Sequence, residues 1–168
     1  VADNMGKGQP EILTDYGVVK GDYYLVISEK TGKKANYTQA YKLAKSLTPW
    51  QPGLEFETND STPTAQAIKV GESLDGYSAP KGDMDWYQFN VYQKGAVLFE
   101  LAGVPNLQFV ATVYDQEYQE LQTWTAPRAG ESLSVGKDFD AGTYYLKLRG
   151  NEGQSNIRDK YSLRLKVR

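Results

Sequence analysis

Two short acidic segments hold the residues with the most chemical potential. Glu55, Glu57, Asn59 and Asp60 lie in one run, and Asp83 and Asp85 lie in a turn that enters an alternating segment. In an extended chain residues 55, 57 and 59 project to one side, and residues 83 and 85 also share a side. A hard divalent cation such as Ca2+ takes six to eight oxygen ligands from carboxylates, amide oxygens and backbone carbonyls. If the fold brings the two segments together, their carboxylates repel one another and hold protons to higher pH. A bound cation turns that repulsion into binding energy. The same residues have a second reading. Thr58-Asn59-Asp60-Ser61 also suits an Asx turn or cap, whose side chains bond to nearby backbone amides, and Asp83 and Asp85 also suit an ordinary turn.

Other chemistry is scarce. Histidine and cysteine are absent. That removes a Cys nucleophile, a His general base, a disulfide and a zinc site of nitrogen and sulfur ligands. Asp83 and Asp85 sit on one turn, whereas glycosidase carboxyls must flank a sugar about 5–9 Å apart. Ser78-Ala79-Pro80-Lys81 has the spacing of an acylating Ser-x-x-Lys device, but Pro80 and Gly82 oppose the helical turn it needs. Gly6-Lys7-Gly8 lacks the strand and helix of a phosphate loop. The sequence therefore reads as non-enzymatic.

Charge and composition narrow the partners. With 19 basic and 21 acidic residues the net charge is -2 and the pI about 5.3. A general nucleic-acid binder needs a basic surface to displace counterions, and a polybasic membrane binder needs one too. No apolar run is long enough to cross a bilayer. The chain opens Val1-Ala2-Asp3 without Met, so a preceding segment is expected. Thirteen tyrosines and sixteen glycines with no cysteine suit an all-β protein that is secreted, on the cell surface or periplasmic.

The elements that must position these residues read as strands. Tyr87, Phe89 and Val91 alternate with polar neighbours. So do Val97, Phe99 and Leu101; Phe109, Ala111 and Val113; Tyr144, Leu146 and Leu148; and Tyr161, Leu163, Leu165 and Val167. Period-two patterning with one apolar face describes antiparallel strands half-covered by a second sheet. Turn residues separate the runs at Lys81-Gly82-Asp83, Lys94-Gly95, Gly103 to Asn106, Ala141-Gly142 and Gly150-Asn151. The expected fold is all-β: an antiparallel, jelly-roll-like β-sandwich. On the outward faces fall Trp86, Tyr92 and Tyr145, candidates for ligand contact because exposed aromatics stack on sugars and apolar side chains. Arg149, Arg164, Lys166 and Arg168 suit either a small basic stripe on one outer face or an ordinary solvated strand face, and the solvated face is the preferred reading.

The chain also resembles itself. Gly21-Asp22-Tyr23-Tyr24-Leu25-Val26-Ile27 matches Gly142-Thr143-Tyr144-Tyr145-Leu146-Lys147-Leu148, and Asn36 with Tyr41-Lys42-Leu43 matches Asn156 with Tyr161-Ser162-Leu163. Glu11-Ile12-Leu13 lies on Glu131-Ser132-Leu133 with a gap. Self-similarity of this kind marks tandem modules. Residues 1–47 thus read as the last strands of a partial copy, residues 48–53 (Thr48-Pro49-Trp50-Gln51-Pro52-Gly53) as a stiff linker, and residues 54–168 as a complete domain. Uncovered strands seek a neighbour. They dock on the complete domain, continue into an upstream domain, or complete a partner chain's sheet in an assembly.

The complete copy resembles the bacterial pre-peptidase C-terminal domain family. Three blocks in order carry the likeness: Glu57-Thr58-Asn59-Asp60-Ser61, Gly82-Asp83-Met84-Asp85-Trp86-Tyr87-Gln88-Phe89, and Ala141-Gly142-Thr143-Tyr144-Tyr145-Leu146. The third recurs at Lys20-Gly21-Asp22-Tyr23-Tyr24-Leu25. The resemblance implies a non-catalytic β-sandwich appended to exported bacterial enzymes and surface proteins. It is similar to collagenase-type collagen-binding domains, whose opening acidic segment helps bind calcium. Members often carry Tyr where this chain has Trp86. The expected function is an accessory or binding module, Ca2+-stabilised, that serves as a spacer or holds an extracellular polysaccharide or protein beside neighbouring domains.

Overall fold

A computed structural model describes residues 8–13, 16–29 and 31–167. The Val1-Ala2-Asp3 opening, most of Gly6-Lys7-Gly8, and Arg168 of the basic stripe lie outside the described residues.

Among the described residues nine strands form two facing sheets. They are β1 (Gln66–Ala67), β2 (Ser73–Ser78), β3 (Met84–Val91), β4 (Gly95–Leu101), β5 (Phe109–Tyr114), β6 (Glu120–Thr125), β7 (Leu133–Phe139), β8 (Gly142–Gly150) and β9 (Asn156–Val167). One sheet has the order β1-β3-β8-β5-β6 and the other β2-β9-β4-β7. All pairings are antiparallel except β1 with β3. Helix among the described residues is limited to two 3-10 turns, Thr62–Thr64 and Asn151–Gly153. This is the expected β-sandwich.

Alternation explains the packing. Tyr87, Phe89 and Val91 of β3 face Val97, Phe99 and Leu101 of β4 across the core, joined by Leu146 and Leu148 of β8 and by Leu163 and Leu165 of β9. Phe89 meets the rings of Phe99 and Phe139 edge-on, each at a centroid distance of 5.6 Å, and stacks on Tyr144 at 5.7 Å. The edges of such aromatic rings carry positive charge that favours a neighbour's face. β8 and β9 hold the central places. β8 lies between β3 and β5, and β9 between β2 and β4.

The basic stripe does not form on one face. Arg149 belongs to β8 in the five-stranded sheet, while Arg164 and Lys166 belong to β9 in the other. Chain alternation alone cannot say which sheet a strand enters. Lys166 is moreover paired with Glu100 at 2.7 Å on the adjacent β4.

The N-terminal repeat behaves differently from its copy. Among the described residues before Trp50, backbone pairing with the domain is limited to a parallel bridge of Val18 with Glu57. Gly21 to Ile27 form no strand, and Tyr24 and Val26 are 93% and 84% exposed. A strand needs neighbours on its edges, and among the described residues none pairs with Gly21 to Ile27.

Truncating Phe89 to Ala empties the centre of the aromatic cluster and should cost about 3–5 kcal/mol. Leu25→Ala should change stability by less than about 0.5 kcal/mol, since the arm packs on nothing that the substitution would disturb. Urea unfolding of both variants measures the contrast. Equal losses would show that the arm is part of the folded unit.

Candidate functional site

The acidic residues gather at one end of the sandwich, and local structure explains how. The chain from Gly53 to Glu57 runs beside β2, with the Glu55 amide donating to the Asp75 carbonyl at 2.8 Å and the Asp75 amide to the Gly53 carbonyl at 2.8 Å. Gln66 clamps this run from the other side. Its Oε1 accepts the Phe56 amide at 3.0 Å, and its Nε2 donates to the Leu54 carbonyl at 3.0 Å. The Trp86 amide then donates to the Asn59 carbonyl at 2.8 Å, fixing the acidic run to β3. Asp85 shares the inward face of Tyr87, so alternation turns a carboxylate toward the core.

Glu55 is the hub. Its Oε1 accepts the Tyr87 hydroxyl at 2.5 Å, the Tyr161 hydroxyl at 2.7 Å and Asn59 Nδ2 at 2.9 Å. Its Oε2 accepts the Tyr77 amide at 2.8 Å. The Tyr161 hydroxyl also lies 3.1 Å from Asp85 Oδ2 and bonds with the Tyr87 hydroxyl. Tyr87 belongs to one sheet and Tyr161 to the other, so this carboxylate joins the two layers. Gly76 leaves it room, because a Cβ there would stand 2.3 Å from Glu55 Oε2 and 2.7 Å from the Tyr161 hydroxyl.

Two groups of carboxylates result, Glu55 with Glu57 and Asp85, and Glu57 with Asp60 and Asp83. Within each group the oxygens lie within 4.8 Å of one another. Ligands on opposite sides of a cation at about 2.4 Å are separated by about that span. Glu55, Glu57, Asn59, Asp83 and Asp85 are buried, and Asp60 is exposed. Asp83 Oδ2 is occupied by the Ala79 amide at 2.6 Å. Asn59 Oδ1 and Asp85 Oδ1 are buried without a hydrogen-bond donor. Buried polar oxygens normally have partners, and a cation is a partner that an amide oxygen and a carboxylate oxygen both accept. The donor set is all oxygen, which suits a hard ion and not zinc. The residues present therefore fit a metal ion.

The turn reading divides. Asp83 serves as a turn residue, taking the Ala79 amide and donating its own amide to the Pro80 carbonyl at 3.0 Å. Asn59 does not use its amide oxygen on a nearby backbone amide, and Ser61, which precedes the 3-10 turn, makes no side-chain cap. All six acidic-run candidates come together. The aromatic candidates divide. Trp86 and Tyr145 lie on the outer face of the five-stranded sheet, where Trp86 meets Tyr114 at 5.1 Å, Tyr145 meets Tyr118 at 5.2 Å, and Lys147 Nζ stands 5.3 Å from the Trp86 ring. Tyr92 follows the end of β3, 84% exposed. Sequence reasoning missed Gln66, Gly76 and the two phenol hydroxyls. A buried tyrosine needs a partner for its hydroxyl, and that rule could have linked Tyr161 to the acids.

Protons are held here. Burial, then repulsion from Glu55 and Asp83, pushes Glu57 up to about 8. Burial also lifts Asp83 to about 7, against the pull of its bond from the Ala79 amide. Asp85 is held well above the usual carboxylate range, first by burial and then by Glu55. Tyr16 from the arm is raised too, by burial and then by Glu57.

These shifts fix a sign. Without metal, the folded chain keeps protons that the unfolded chain releases near its ordinary values of 3.8 and 4.5. The associated stability is complete below about pH 4 and is lost as pH rises through about 7 and about 8. In chelator, the urea midpoint should fall between pH 5 and pH 8.5, and a saturating divalent cation should flatten that slope. A midpoint that rises over this range would contradict the assignment. Gly76→Ala should cost at least about 1–3 kcal/mol by overpacking and should abolish the cation response, as read by the same unfolding curves.

No family model and no curated protein matches this sequence. Among solved structures the fold is similar to the pre-peptidase C-terminal domain of a collagenase from Bacillus anthracis, with a TM-score of 0.51 and 15% identity over 61% of this chain and 94% of that one. A fainter likeness is to a periplasmic inhibitor of g-type lysozyme from Salmonella Typhimurium, with a TM-score of 0.38 and 14% identity over 62% of this chain and 100% of that one. The β-sandwich of this chain therefore has a fold like that of a pre-peptidase C-terminal domain.

Proposed function

We propose that the chain is a non-catalytic accessory module of an exported bacterial protein, stabilised by Ca2+, that spaces neighbouring domains or holds an extracellular polymer or protein. The observation that carries this reading is the pair of buried carboxylate groups sharing Glu57, together with the donorless oxygens of Asn59 and Asp85. Glu55, Glu57, Asn59, Asp60, Asp83 and Asp85 would supply the ligands. Ca2+ suits them better than Mg2+. It accepts six to eight protein oxygens in irregular geometry, whereas Mg2+ demands an octahedron and keeps its waters. The cation's charge would offset repulsion among the acids and rigidify the start of the domain. Trp86 and Tyr145 would serve as the holding face, since a row of aromatic rings offers flat apolar area with polar tips. Tyr92 would extend the contact from the adjacent turn.

Calorimetric melting tests the metal. A cation at 100 times its dissociation constant adds about 2.7 kcal/mol, so Tm should rise with Ca2+ and fall with chelator. Glu57→Gln, which removes the carboxylate common to both groups, should erase the difference. A Tm indifferent to Ca2+ in the unsubstituted chain overturns the metal assignment. Sedimentation with insoluble polymers, collagen and polysaccharides among them, tests the holding face. Trp86→Ala with Tyr145→Ala should weaken any binding about tenfold, at about 1.4 kcal/mol.

A further inference from the structure

The exposed arm repeats more than the sequence of the strands it resembles. In β8, the Tyr144 hydroxyl donates to the Asp140 carbonyl at 3.1 Å, four residues back. In the arm, the Tyr23 hydroxyl donates to the Val19 carbonyl at 2.8 Å, also four residues back. In both places the ring lies over the glycine two residues earlier, with a Cβ on Gly142 or Gly21 falling 3.5 Å from its Cε2. The start of β9 is copied as well. Asn156 Oδ1 accepts the amides of Arg158 and Asp159 at 2.8 and 3.0 Å, and Asn36 Oδ1 accepts those of Thr38 and Gln39 at 2.9 and 3.0 Å. The two local bonding patterns recur in the same order although the arm lacks the neighbours that β8 and β9 possess.

The difference lies in what covers them. Leu146 and Leu148 are 0% and 1% exposed, while Leu25 and Ile27 in the corresponding places are 64% and 52% exposed. Tyr161 and Leu163 are buried, and Tyr41 and Leu43 are 74% and 60% exposed. β8 and β9 are central strands, each paired on both edges. An arm of their type is not satisfied by adding to the outer edge of a finished sheet, which supplies one edge and half a face. The complete domain of a second copy cannot supply the slots either, because its own β8 and β9 fill them.

We infer that residues 16–47 are the two closing strands of a second sandwich of this fold, and that their occupant is the polypeptide joined to the N-terminal side of the arm, folded as the counterparts of β1 to β7. The order of the fold dictates that side, since β8 and β9 come last. The bridge of Val18 with Glu57, with the Glu57 amide donating to the Gly17 carbonyl at 2.9 Å, then makes the two sandwiches neighbours at the acidic end of the second. This inference stands apart from the metal and ligand readings.

Hydrogen–deuterium exchange tests it on the 168-residue chain and on the natural polypeptide with its residues before Val1. In the former, peptides over residues 23–27 should exchange as unpaired chain while those over residues 144–148 stay protected. In the latter, residues 23–27 and 41–43 should slow by roughly 100-fold or more. Leu25→Asp with Ile27→Asp should unfold the upstream unit of the longer polypeptide and leave the melting of residues 54–168 unchanged. Three results overturn the inference: a natural chain that begins near Val1, an arm that stays unprotected in the longer polypeptide, or an arm already protected in the 168-residue chain. In that last case, sedimentation equilibrium tells docking on its own domain from pairing with a second copy.

Discussion

The buried carboxylate of Glu55 is the constraint around which this end of the molecule is arranged. Burying an ionisable group is costly unless it is bonded on every side, and Glu55 receives two phenols, an amide side chain and a backbone amide. Those donors come from β2, β3, β9 and the acidic run. A single side chain thereby fixes the separation of the two sheets and the course of the segment before the first strand. The bare Cα of Gly76 and the clamp of Gln66 follow from the same requirement, one making space and the other holding position.

The remaining acids follow from that hub. Once Glu55 is held, Glu57 and Asn59 lie beside it on one side of the run, and the pleat of β3 turns Asp85 inward to meet them. The cluster is electrostatically expensive on its own, as the raised Glu57, Asp83 and Asp85 carboxyls show. Polar groups so arranged rarely serve the stability of the bare fold. Their cost is consistent with a site that is complete when positive charge is present.

Much of this was legible beforehand, for identifiable reasons. The inward sets of β3, β4, β5, β8 and β9 announce themselves because one face of each is apolar. The convergence of the 55–60 run with Asp83 and Asp85 was readable as a possibility from spacing and from the family resemblance. β2 was not, because Leu74 is its one large apolar inward residue and Gly76 and Ser78 take the other inward places. β6 was missed because Glu120 to Thr125 is mostly exposed and its two residues on the core, Leu121 and Trp124, are three apart and break the period-two pattern. The basic stripe failed because alternation fixes the side of a strand and not the sheet it joins. Tyr23 to Ile27 read as a strand from their own pattern, yet hydrogen bonding between strands is a property of pairs, and none of the described residues pairs with them.

Placing the last two strands at the middle of both layers has a bearing on biogenesis. Until the chain beyond Gly142 has emerged from the ribosome, β3 and β5 lack the strand that joins them, β8, and β2 and β4 lack theirs, β9. Neither layer can close on partial synthesis, and the pairings that must form are between residues far apart along the polypeptide, which is slow. The halves of each layer therefore stay unjoined until these two strands are in place.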